Sequence, residues 1–365
     1  MTEKIHGRIV RPGAVVPGVV EVDGPTILSV AEAAEAGDDV IVPGFVDLHC
    51  HGGGGHTFTR GDAGDAAKAA AFHLRHGTTT MLASLVSSPY ELMRDATAAY
   101  LPLVTRGVLA GIHFEGPYLN AVRCGAQNPE FLREPSLAEL DALAGLGAGA
   151  IRMMTIAPEL PGALDAIRQL AARGIVAAIG HTDATYEQTL AGVAAGATVG
   201  THVFNGMRPP HHREPGPVVA LLDSPAVVCE FVADGIHLHD GMLRFAARAT
   251  PQRGALVTDA MDAAGMPDGR YELGGQEVAV ADGVARLVRD GSIAGSTLTM
   301  DATFRRAVAA GLDLPTAASM ASTTPARALG LSDQVGALEA GLRADLVVLS
   351  PDLRVKRVMR AGEWV

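Results

Sequence analysis

The sequence predicts a closed (β/α)8 TIM-like barrel with a small flanking β-sandwich domain built from both chain ends, and three observations carry that expectation. Eight apolar runs, at 41–49, 78–86, 108–116, 151–159, 175–181, 197–205, 227–237 and 254–261, have strand length and little polar alternation. Parallel strands buried on both faces read this way. Ala-rich helical segments lie between them, at 65–76, 90–105, 137–146, 162–173, 185–195 and 241–249. The residues able to do chemistry collect at the C-terminal ends of the runs, which form the mouth of a barrel. An open doubly wound sheet is the competing architecture, and it has no comparable reason to gather them there.

The chain ends follow a different rule. Residues 1–44 and 335–365 are short alternating pieces broken by Gly and Pro, as in HGRIVRPGAVV and ADLVVLSPDLRVKRVMRAGEWV. These are expected to pair into one small β domain, leaving 45–334 as the barrel. Residues 265–290, with GRYELGGQEVAVADGVARLV, break the strand–helix rhythm and predict a β-hairpin insertion that lines the mouth or packs on the small domain.

Composition narrows the function. With 365 residues, 48% hydrophobic and 19% charged, the chain can bury a large core and is not a disordered scaffold. A net charge of −11 argues against nucleic acid or an anionic membrane as a bulk partner. No apolar run reaches the roughly 18 residues of a membrane span, and the N-terminus lacks a signal-peptide core, so a cytoplasmic location is expected. The cysteines, Cys50, Cys124 and Cys229, are odd in number and far apart, which fits a reducing compartment.

The chemistry begins in PGFVDLHCHGGGG, residues 43–55. On a strand, His49 and His51 project to one face with Cα atoms roughly 6.5 Å apart, close enough to share a metal ion, while Cys50 points away. The glycines leave room beyond the strand end. They do not form a phosphate loop, because neither GK[ST] nor G-x-G-x-x-G is present. Further strand ends carry Glu115, His181, His202, His237 and Asp259. Any one histidine has an ordinary reading as a helix cap or a satisfied core group, but their recurrence at successive strand ends points to a metal centre. Imidazole and carboxylate ligands suit zinc, and iron, manganese or cobalt would also accept them. His113 shares a face with Glu115 and is expected to support it. His237 and His239 form a second H-x-H whose spacing does not distinguish metal from substrate. Asp259 suits a general base and acid, and Asp262 competes from the loop beyond.

The motifs PGFVDLHCHGGGG, GIHFEGPYLN, AIGHTDATYEQ, THVFNGMRPPHHREPG, DGIHLH, LVTDAMDAAG and IAGSTLTMD together resemble the N-acetylglucosamine-6-phosphate deacetylases of the amidohydrolase superfamily, most closely the actinobacterial type. The resemblance covers nearly the whole chain. It implies that Glu115, His181 and His202 hold the principal metal, that His49 and His51 hold a second, and that Asp259 is the catalytic acid and base. It also implies sugar-phosphate contacts at Asn205, Gly206, Arg213 and His237, with Arg213 reaching in from the neighbouring subunit of a homodimer. One position departs from the family: the loop after EGPYLN usually ends G-A-H, and here reads GAQNP with Gln127, which can donate a hydrogen bond at the acetyl end but carries no proton charge. Cys124 in that loop is a further candidate contact.

The expected reaction is hydrolysis of N-acetyl-D-glucosamine 6-phosphate to D-glucosamine 6-phosphate and acetate. The alternatives are a related amino-sugar phosphate such as N-acetylgalactosamine 6-phosphate, and a non-catalytic assembly module, which would have lost ligands that this chain keeps. Lysine is confined to Lys4, Lys68 and Lys356, none in a barrel-strand run. Relatives that bridge two metals through a carbamylated lysine are thereby set aside.

Overall fold

The computed structural model describes residues 2–34, 36–147 and 149–365. Eight strands pair in parallel and in chain order: β1 (Phe45–Asp47), β2 (Thr78–Leu85), β3 (Gly111–Glu115), β4 (Ile151–Ile156), β5 (Val176–Ile179), β6 (Val199–Gly200), β7 (Val228–Val232) and β8 (Gly254–Val257). The expected barrel is borne out, with strands shorter than the apolar runs that announced them. β6 is the extreme case, because the chain turns away at Thr201 and carries His202 in a tight turn.

The apolar runs are continuous because their side chains have packed neighbours on both sides. Val46, Leu82, Met153, Ala178, Val199 and Val257 form one buried cluster, while Phe45, Ile112, Phe114 and Ile179 pack in another with residues of the helices. Burial of each large apolar side chain contributes about 1.5–3 kcal/mol. The helices repeat at the matching period. Ala163, Ala166, Ile167 and Leu170 are the buried face of Ala163–Ala172. Helix starts are set by side chains, as where Thr185 and Gln188 form a reciprocal capping box before Tyr186–Ala195.

The chain ends form one seven-stranded sheet whose spatial order is Glu363–Trp364, Val355–Arg360, Leu346–Leu349, Val40–Pro43, Glu3–Arg11, Ala14–Asp23 and Thr26–Glu32. The insertion is a three-stranded antiparallel sheet, Gly269–Leu273, Gln276–Ala281 and Val284–Leu287, rather than the expected two-stranded hairpin. Two two-residue turns make it. Gly274 and Gly275 have φ of 57° and 80°, and Asp282 and Gly283 have φ of 51° and 73°, the backbone that joins twisted strands tightly. Its apolar face packs with Val86, Met261 and Ala263 at the barrel mouth.

The seam between β1 and β8 closes just beyond the ends of both strands. The Asp259 amide donates to the His49 carbonyl at 2.8 Å, and the His51 amide donates to the Ala260 carbonyl at 2.7 Å. Beneath them, buried Asp47 accepts from the Thr258 hydroxyl at 2.6 Å, the His49 amide at 3.2 Å and the Thr258 amide at 3.3 Å. Burial pushes the Asp47 carboxyl up to about 6 although these hydrogen bonds pull it down. Replacing Asp47 by Ala leaves buried donors unpaired at the seam, and a loss of about 1–3 kcal/mol is expected in urea denaturation. Wild-type stability in Asp47→Ala would show that the seam does not depend on it.

Candidate active site

Six side chains from five strand ends converge at the barrel mouth: His49 and His51 after β1, Glu115 closing β3, His181 after β5, His202 after β6 and Asp259 after β8. All are buried. The Nε2 atoms of His181 and His202 lie 3.0 and 2.9 Å from Glu115 Oε1 and 3.1 Å from each other. The Nε2 atoms of His49 and His51 are 3.0 Å apart. They lie 3.5 and 3.3 Å from Asp259 Oδ1, and 3.5 and 3.3 Å from the two Glu115 oxygens.

The outer ring nitrogens explain this geometry. His51 Nδ1 faces the Ser84 carbonyl at 3.1 Å, and His181 Nδ1 faces the Arg123 carbonyl at 2.8 Å. A carbonyl only accepts, so each Nδ1 carries the hydrogen and each neutral ring aims its Nε2 lone pair inward. His49 Nδ1 likewise meets buried Glu230 Oε2 at 3.3 Å. Inward lone pairs about 3 Å apart beside two carboxylates repel one another unless a positive charge lies among them. Two groups have the spacing to hold an ion, His49 with His51 and Asp259, and His49 with Glu115 and His202. The donor set therefore fits a divalent cation.

The electrostatics agree with that fit. Burial works against charging His49, but the negative charges of Glu115 and Asp259 outweigh it and raise the ring well above its ordinary value. Burial equally opposes ionising Glu115 and Asp259, and the surrounding imidazoles, His49 foremost, hold both carboxyls below their usual range. The pocket is a sink for positive charge. Its backbone is strained to the same end, with φ of 47° at His181, 26° at His202 and 49° at Asp259. Non-glycine residues occupy this region rarely and at a cost of about 1–3 kcal/mol.

The other expected residues separate into near and far. A cavity of about 280 Å³ is lined by His51, Glu115, His181, His202 and Asp259 together with Gln127, Asn205, Gly206 and His237. Gly206 has φ 61°, and a Cβ there would lie 2.7 Å from His181 Nδ1, so only glycine fits. His237 is fixed by Asp234 Oδ2 at 2.7 Å and presents Nε2 3.9 Å from Asp259 Oδ2. His239 instead accepts from the Gly241 amide and caps a helix, so the two histidines of the second H-x-H have different settings. His113 is buried between the Ser84 and Thr155 hydroxyls, each at 2.9 Å. Gln127 is held at both ends, accepting from the Ser87 amide and donating to Glu115 Oε2, each at 2.6 Å. Its amide therefore braces the carboxylate in this structure. Arg213 is exposed and turned toward His212, outside the cavity wall of its own chain. Cys124 and Asp262 are also absent from that wall, whereas Leu273 of the insertion and Ser292, Ile293 and Gly295 beyond it contribute to it.

The sequence profile described as "Amidohydrolase family" matches residues 40–365, and the chain belongs to that family. Within it, the chain is similar to N-acetyl-D-glucosamine-6-phosphate deacetylase of Mycobacterium smegmatis. A point variant of that enzyme, solved with N-acetyl-D-glucosamine-6-phosphate, is 44% identical, superposes with a TM-score of 0.96, and aligns over 100% of this chain and 99% of that one. N-acetylgalactosamine-6-phosphate deacetylase of Escherichia coli O157:H7 is 38% identical over 95% of this chain and 92% of its own length. N-acetylglucosamine-6-phosphate deacetylase of Vibrio furnissii is 37% identical over 92% and 85%.

Glu230 was not anticipated from the sequence. It is a fully buried carboxylate within β7 that touches both the His49 ring and, at 3.2 Å, the His202 amide. Its signal was a lone charge inside the apolar run VVCEFVA. If it orients His49, Glu230→Leu should weaken divalent-metal binding about 10–100-fold in a chelator competition. Unchanged affinity in a folded variant would leave Glu230 a packing role only.

Proposed function

We propose that the chain hydrolyses N-acetyl-D-glucosamine 6-phosphate to D-glucosamine 6-phosphate and acetate, as a metal-dependent deacetylase. The observation that carries this is the buried cluster of His49, His51, Glu115, His181, His202 and Asp259 at the mouth of a barrel so similar to a deacetylase solved with that sugar phosphate. Glu115, His181 and His202 would hold one divalent ion and His49 with His51 a second, with zinc the first choice for both. When bound, such an ion polarises an amide carbonyl and lowers the pKa of water from about 15.7 towards about 7.

The protein groups supply orientation and proton transfer. Asp259 stays ionised among the imidazoles, so it can take a proton from the attacking water and return it to the departing amine. Its carbonyl accepts from the Ser296 amide at 2.6 Å and its amide donates to the His49 carbonyl, which fixes the carboxylate over the cluster. Asn205, Gly206 and His237 form the wall where the sugar would rest. Arg213, exposed beside the mouth sequence, would complete phosphate binding in the neighbouring subunit of a homodimer, where its planar donors can grip two oxygens. Gln127, bonded to Glu115, would sit beside the acetyl end. Among the described residues no helix is long and apolar enough to cross a membrane, and the cysteines are free. Both fit a cytoplasmic enzyme acting on a charged metabolite.

The similarity to the galactosamine-named enzyme supports a second reading, in which the C4 epimer is the preferred substrate. Comparing kcat/KM for the two epimers on zinc-loaded protein separates the readings. Failure to release acetate from either substrate would end both. In the same assay Asp259→Asn should lower kcat by about 10²–10⁴-fold. A variant with His49 and His51 both replaced by Ala should bind fewer metal ions per chain by elemental analysis. An unchanged metal content would remove those two histidines from the centre.

A further inference from the structure

On the face of the barrel opposite the active site, a second cavity of about 270 Å³ lies between the strand starts and the sheet made from the chain ends. Thr80 of β2, Ala110 just before β3 and Arg152 of β4 line it from the barrel, and Arg343 and Arg360 line it from the other side. It sits roughly 15 Å from the catalytic mouth, four to five strand residues at about 3.3 Å each.

Three guanidinium groups thus face one cavity in a chain whose net charge is −11. Only Arg343 has a carboxylate partner, using Nε and Nη2 on Asp345 and Nη2 also on the Thr80 hydroxyl. Arg152 donates through Nη2 to the Leu329 carbonyl, and Arg360 through Nη2 to the Gly107 and Val108 carbonyls. Among the described residues, neither forms an ion pair, and the Nε and Nη1 donors of both have no partner. The carbonyls therefore pin each guanidinium while leaving its remaining donors unused. Burial and then the neighbouring charge of Arg343 lower the pKa of Arg360, and the Asp345 carboxylate on Arg343 offsets them only in part. An anion would offset the rest.

We propose that this cavity is an anion site, distinct from the active site, that takes a phosphate group through Arg152 and Arg360, with Arg343 as a third positive charge. Arginine suits a tetrahedral oxyanion because its fork holds two oxygens at once. The volume admits inorganic phosphate and also a small phosphomonoester.

The test is calorimetric titration of zinc-loaded enzyme with inorganic phosphate and, separately, with glycerol 3-phosphate. Wild type should show one more phosphate site per chain than Arg360→Leu. Because Arg360→Leu also removes contacts to Gly107 and Val108, a second variant keeps every arginine. Gln334→Glu places a carboxylate on the exposed rim of the cavity, and should weaken that site at least tenfold without changing KM for the acetylated substrate. Tighter binding of glycerol 3-phosphate would identify an organic phosphate as the occupant, and tighter binding of phosphate the free ion. Equal stoichiometry and affinity in wild type and Gln334→Glu would overturn the proposal, whatever the catalytic assay shows.

Discussion

The seam where the first barrel strand meets the eighth is the constraint on which the rest of the structure depends. Seven of the eight neighbouring strand pairs make ladders along their length, but β1 and β8 meet only past their ends, through backbone bonds at His49, His51, Asp259 and Ala260. Three of these residues, His49, His51 and Asp259, also supply side chains to the buried cluster. Closing the barrel and placing the histidines against Asp259 are one event. Asp47, buried below, ties both strands together through Thr258. A carboxylate in such a place is costly, and it is tolerated because three donors converge on it.

The same economy runs outward from the cluster. Backbone carbonyls, which cannot change protonation, decide which nitrogen of His51 and His181 faces the centre. One of those carbonyls belongs to Arg123, in the loop that also carries Gln127, so a single surface loop steadies His181 by its backbone and Glu115 by a side chain. Arg123 is itself anchored by Asp183, which also accepts from Arg208. Of the three residues with strained backbone, His181 is the one these contacts hold directly, through the Arg123 carbonyl, which is how backbone in a sparsely populated region persists.

Much of this was legible in the sequence because it is written in local patterns. Long apolar runs gave the strands, and the positions of Glu115, His181, His202 and Asp259 at the ends of those runs gave the mouth. What was not legible depends on contacts between distant segments. Helix Gly216–Asp223 escaped notice because GPVVALLD is buried nearly all round and carries no polar face to reveal a period. The third strand of the insertion lay in plain alternation after Asp282–Gly283, but its pairing depends on a turn that could equally have ended the unit. His237 and His239 are a local exception, because their spacing alone does not separate a cavity residue from a helix cap. The difference comes from Asp234, which grips one ring, and from the helix that begins at Asp240 and recruits the other.

Reading the H-x-H pair as a separate second-metal half of the site understates how closely the halves interlock. His49 belongs to both groups with ligand spacing, and Glu115 lies within 3.5 Å of all four histidines of the cluster. Its Oε1 faces His49, His181 and His202, while Oε2 faces His51 and is held by Gln127. A carboxylate so divided transmits charge between the two halves: a cation on one side stabilises the ionised carboxylate and at the same time repels a cation on the other. Cations at the two positions would therefore bind interdependently, and the Gln127 amide, which donates a hydrogen bond to Oε2, favours the ionised form of that carboxylate. The brace on Glu115 would therefore bear on whether one metal or two is held as much as His49 and His51 do.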